Sequence, residues 1–179
     1  MNSWAIYPAF IGTVLSVLGW SYFVARHHNV HQPVTLSELA ARRHDTIKYF
    51  RTILWICGPL FLITILLYIA PLLHSTWLAV LWVMIVFAEI CLGIFPPVSK
   101  QSRVIHNIFA YIMAVGMLLS AVMMALIVPR YNVLLVITVV IMILFSLLTK
   151  YNRTNYIYYE LGYIFLSHIS IIISIVSFV

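Results

Sequence analysis

The chain has 179 residues, of which 64% are hydrophobic and 8% charged, with a mean hydropathy of +1.09. A soluble globular domain carries about 25% charged residues, so this composition excludes one, together with any activity that needs a water-exposed catalytic domain. A formal net charge of +6 would suggest nucleic acid in a soluble protein, but here it is read as a topology signal reinforced by anionic lipid headgroups, and no nucleic-acid partner is expected.

Crossing a hydrocarbon core of ~30 Å takes about 20 apolar residues in a helix. Six stretches qualify: 4–25, 52–73, 76–96, 104–128, 133–148 and 156–178. The first lacks a basic leader, and Phe23-Val24-Ala25 is a poor small-x-small cleavage site. It is therefore read as a retained helix rather than a signal peptide. Gly12, Ser16 and Gly19 share one of its sides and allow close helix approach.

Between the first two spans, Thr35 and Glu38 have the spacing of a capping box. After them Leu36, Leu39, Ala40, Ile47, Phe50 and Leu54 recur at helical steps, with Arg42, Arg43, Asp45 and Lys48 on the remaining surface. This pattern predicts an amphipathic juxtamembrane helix over 36–51, continuous with the second span and lying on the inner leaflet. Such a basic face can also dock a protein partner.

Gly58-Pro59 breaks the second span, as a static kink or a hinge. Met113, Met117 and Met124 read as adaptable core, and Ser167, Ser170, Ser174 and Ser177 form a small hydroxylated stripe on the last span. The fifth span is the shortest and is flanked by Tyr131 and Tyr151 as interfacial anchors. Cys57 and Cys91 both fall inside apolar stretches, where they read as free thiols. No internal repeat suggests the halves of a transporter.

Nine of the ten Lys and Arg residues fall in the first, third and fifth connections, and only Arg130 falls in the others. Basic connections stay cytoplasmic, so both ends are expected outside the plasma (inner) membrane. The ionisable residues at membrane depth are Glu89, His106, Glu160 and His168. From the helical rise they lie about 10, 3, 6 and 18 Å from the basic surface. Groups of this kind usually face the interior with a partner. The first three, joined by Asn107, are expected to form a polar inner-leaflet pocket rimmed by Arg51, Lys100, Arg103 and Arg153, with His168 apart at the midplane.

Three readings of that cluster stand open: a structural network joining helix ends, a lipid-headgroup or small-ligand site, and a proton relay. Ser167-His168 does not make a nucleophile–base pair by adjacency, since neighbouring helical positions point about 100° apart. His27, His28 and His31 lack the further ligands of a metal site. His106 and His168 differ by about 15 Å in depth, too far for a bis-histidine haem. No metal and no cofactor are expected.

The runs Gly93-Ile94-Phe95-Pro96-Pro97 and Arg103-Val104-Ile105-His106-Asn107, with Glu160 near the start of the last span, resemble the bacterial domain-of-unknown-function relatives of the Frag/DRAM/Sfk group. The family's Glu-Arg pair is replaced here by Glu160-Leu161. The resemblance implies a six-helix membrane bundle without an assigned reaction, and it adds weight to His106 and Glu160. The combined expectation is an all-α, polytopic bundle forming one domain and acting as a lipid-interacting or accessory membrane protein. A proton-coupled transporter or channel subunit is the alternative, and a membrane-embedded lipid hydrolase the third reading.

Overall fold

Backbone N–H and C=O groups that enter hydrocarbon must be bonded within the chain, and an apolar run meets that demand as a helix. The computed structural model describes residues 3–28, 34–128 and 130–178, and for Ser3 and Arg153 the backbone alone. The helices are α1 (Tyr7–His27), α2 (Leu36–Ala40), α3 (His44–Leu72), α4 (Thr76–Ile94), α5 (Lys100–Ile127), α6 (Asn132–Tyr151) and α7 (Tyr156–Val176). All but the short α2 are long and apolar enough to cross a membrane. Their outward faces are apolar too: Trp77 is 77% and Leu126 81% exposed, surface that a bilayer covers. The chain is a multi-pass, all-α membrane bundle.

The six long helices form a closed ring in which α1 packs on α3, α3 on α4, α4 on α5, α5 on α6, α6 on α7 and α7 on α1. α7 also reaches across to α5. Tight turns hold neighbours antiparallel, with His74 and Tyr131 taking left-handed backbone conformations (φ 49° and 60°) at the end opposite the basic connections. Side chains cap several helix starts, Ser75 accepting from the Leu78 N–H and Ser99 from the Ser102 N–H. The Ala9 N–H, unpaired in the first turn of α1, donates to the Thr64 hydroxyl of α3 at 3.0 Å.

The predicted amphipathic helix is divided. Thr46 donates its hydroxyl toward the Ala40 and Arg43 carbonyls (both 2.7 Å) and accepts from the Arg43 N–H (3.2 Å). This local side-chain bonding competes with continuous helix, so α2 stops at Ala40 and a new helix starts at His44. Sidedness survives the break: Leu36, Leu39, Ala40, Phe50 and Leu54 are buried, while Arg42, Arg43, Asp45 and Lys48 are exposed. Farther along, α3 runs through Pro59 without ending, and it widens to a π turn over Ile65–Ile69 just before Pro71.

The midplane of the bundle is aromatic. Phe61 of α3 stacks on His168 of α7, with ring centres 4.2 Å apart, and lies 6.1 Å from Trp82 of α4. Trp82 donates its indole N–H to the Ser120 hydroxyl of α5 at 2.6 Å. Gly116 lets α5 approach α4 here, because a Cβ at that position would sit 2.7 Å from Ile85 Cγ1. A Gly116→Val substitution is therefore expected to destabilise the bundle by ~1–3 kcal/mol, the usual range for overpacking. Gly12→Ala, whose added Cβ would meet Leu60 and Phe61 at 3.3 Å, should cost less. Thermal unfolding of the two variants in one detergent checks the order.

Candidate functional site

Two polar helix faces meet near the basic end of the bundle. Ser99 and Ser102 cap α5 reciprocally, which puts Arg103, His106 and Asn107 within its first turns. Arg103, Asn107 and Tyr111 follow at four-residue steps and so share a face, and all three are exposed. On α7, Tyr156, Tyr159, Glu160 and Tyr163 recur at three- and four-residue steps on one side. These faces, together with Ser146 and Thr149 of α6 and the start of α2, enclose a cavity of about 590 Å³. Deeper in, the walls turn apolar with Val115, Leu118, Phe145 and Ile164. The volume lies within the usual range for small-ligand sites, about 300–1,000 Å³.

One hydrogen bond joins α2 to this cavity. Glu160 accepts the Leu36 N–H through Oε2 at 2.8 Å, across 124 residues of sequence. Thr35 and Glu38 form the expected capping box beside it: the Glu38 N–H donates to Thr35 Oγ1 (3.0 Å) and the Thr35 N–H to Glu38 Oε2 (3.1 Å). The start of α2 thus has three backbone donors satisfied, one of them by a distant helix. Leu36 and Leu39 beneath are buried.

His106 is buried at the cavity wall, and its Nδ1 lies 2.9 Å from the Phe95 carbonyl. A carbonyl only accepts, so Nδ1 carries a proton and donates it to Phe95. This bond fastens the turn between α4 and α5. Across the cavity, Tyr163 donates its hydroxyl to the Ala114 carbonyl (2.5 Å), and Asn152 donates to the Tyr159 hydroxyl (3.3 Å).

Of the residues singled out in the sequence, His106, Asn107, Glu160 and Arg103 come together around the cavity. Glu89 does not line it. Its carboxylate is buried between α4 and α3 against Gly58, beside Cys57, and Oε2 has no partner among the described residues. Arg51 also lies elsewhere: it donates Nε–H to the Gly93 carbonyl (2.9 Å) and its guanidinium lies over Trp55 at 5.2 Å. Lys100 is exposed and away from the lining. The Arg153 side chain and His31 fall outside what is described.

His168 sits in the midplane stack with Nδ1 unpartnered among the described residues, and the neighbouring Ser167 hydroxyl is likewise without a partner there, so the two form no hydrogen bond with each other. The His28 ring meets Tyr158 edge-on at 5.7 Å, and burial together with the Arg42 guanidinium holds its imidazole below the ordinary histidine range. Both cysteines are free and buried. Among the described residues no group of three or more His, Cys, Asp or Glu side chains could hold a metal ion.

Tyr111, Tyr156, Tyr159 and Tyr163, which do not stand out as ionisable residues at membrane depth, supply much of the cavity wall. The helical spacing of the last three with Glu160 was the available signal. No family model, curated protein or solved structure matches the chain.

Replacing Glu160 by Leu would leave the Leu36 N–H without its acceptor, a cost of ~1–3 kcal/mol for a buried donor. Amide exchange across 34–40 is expected to quicken in Glu160→Leu. It should change little in Glu160→Gln, whose side-chain oxygen still accepts.

Proposed function

We propose that the protein holds a membrane lipid in the cavity between α5, α6 and α7. The observation that carries this reading is the two-part lining: polar groups from Arg103 to Glu160 at one end and an apolar wall at the other. An amphiphile has the same division. The exposed line of Arg103, Asn107 and Tyr111 supports entry from the side, between α5 and α6, so that a lipid need not leave the bilayer. From Arg103 to Leu118 the helix rises about 22 Å, enough to run a headgroup-to-chain axis along it.

A proton-coupled transporter is the second reading. It is favoured by Glu89 and His168, which are buried at membrane depth with atoms that have no partner among the described residues. Neither lines the cavity, and the lipid-binding reading uses neither.

Native mass spectrometry after gentle detergent extraction tests the lipid reading. A retained lipid is expected on the wild type and on Glu89→Gln, with most of it lost from Arg103→Ala. Absence of lipid from the wild type under conditions that keep the bundle folded would sink the proposal.

The basic connections support an orientation with the cavity mouth at the cytoplasmic side of the plasma membrane and both ends outside. Asn152-Arg153-Thr154 is an acceptor sequence for N-glycosylation. Expressed in a secretory-pathway host, Asn152 should stay unmodified, whereas a glycan there would invert the orientation.

A further inference from the structure

Resting on the reading of the cavity as a lipid site, we infer that its occupant is a zwitterionic lipid whose headgroup ends in an ammonium, held by the Glu38 and Glu160 carboxylates and the tyrosine rings. The chain has only four acidic residues, and two of them, Glu38 and Glu160, line this cavity. Arg103, which is exposed, is the one Lys or Arg among the described lining residues. Arg51 is committed to the Gly93 carbonyl and Trp55. His106 is committed through Nδ1 to the Phe95 carbonyl.

The Glu160 carboxylate receives a single hydrogen bond, from the Leu36 N–H, and no ion pair among the described residues, where only Arg43 and Asp45 are paired. A carboxylate in such a place is stabilised by a cation, and the cavity beside it is where one would come from. Tyr111, Tyr156, Tyr159 and Tyr163 line the same space. Aromatic rings attract ammonium groups through their quadrupole and most strongly where water is excluded, which is how aromatic cages select alkylammonium ligands. Tyr159 and Tyr163 are anchored through their own hydroxyls, so their rings need little ordering when a cation arrives.

The lining therefore carries one basic side chain, on α5, and two acidic ones, on α2 and α7, with Arg103 and Glu38 exposed and Glu160 half-buried. A headgroup with a phosphate and a terminal ammonium offers an opposite charge to each kind of side chain. An anionic headgroup without the ammonium would bring its charge beside two carboxylates.

The purified protein, incubated with equal amounts of palmitoyl-oleoyl phosphatidylethanolamine and phosphatidylglycerol and read by native mass spectrometry, is expected to carry the ethanolamine lipid in about fivefold excess. In the Glu38→Gln/Glu160→Gln double variant, which keeps both backbone acceptors, the ratio should fall to about one. Tyr111→Leu should lower it part of the way. An excess of soluble phosphoethanolamine should displace little lipid. Strong displacement would overturn the requirement for the acyl chains.

Equal or preferred retention of phosphatidylglycerol by the wild type, or a ratio unmoved in the double variant, would overturn the ammonium assignment while leaving the cavity a lipid site. Retention of neither lipid would overturn the lipid site itself.

Discussion

In a bilayer a polar group has no water to fall back on, so each one must find a partner in the chain or gather with others around a pocket of its own. The bundle follows this constraint from helix to helix. Tyr49 of α3 donates to the Gly19 carbonyl of α1, and Arg51 and Trp55 donate to carbonyls at the end of α4. Trp82 reaches Ser120, and His106 holds Phe95, which together bind α4 to α5. Tyr163 ties α7 to α5, and Ser177 closes the far end by donating to the Arg130 carbonyl. Oily surfaces give little drive for helices to associate within lipid, so these bonds and close packing at small residues carry much of the specificity. Among the described residues, Ser16, Glu89, Ser167 and His168 keep buried polar atoms without a partner, and none of them lines the cavity.

The two sides of the ring differ accordingly. On the side of α1, α3 and α4 the interfaces are filled by Trp20, Phe23, Phe50, Phe61 and Trp82, all buried. On the other side α6 buries only Leu135, Thr138 and Met142. A helix so lightly embedded is a wall rather than a core element, and the cavity lies behind it. Gly162 lets α7 close on Phe145 of α6, so the pair stays joined even though α6 has few inward residues.

Much of this was legible because depth follows from counting. The helical rise placed His106 and Glu160 near one surface, and the ring order brought their helices within reach of one another. The capping box at Thr35 and Glu38 was readable for the same local reason. Azimuth was harder. α4 is apolar on nearly every side, Glu89 being its one charged residue, so no stripe told which way Glu89 faces. It turns toward the notch at Gly58 instead of toward α5 and α7. The break at 41–43 was equally hidden, since the Thr46 hydroxyl that makes it sits inside a pattern that reads as unbroken helix.

The bond between Glu160 and Leu36 has a consequence for the order in which the protein can be made. Its two ends are 124 residues apart, and the acceptor belongs to a helix that leaves the ribosome after the other five spans. Until that helix inserts, α2 has only its own capping box to hold its first turn, and the N–H of Leu36 must be served by interfacial water. Five of the six spans can therefore be in the membrane while the pocket does not yet exist. Its formation coincides with closure of the ring by α7 against α1. A chain truncated before Glu160 would retain most of its hydrophobic mass and lack the site altogether.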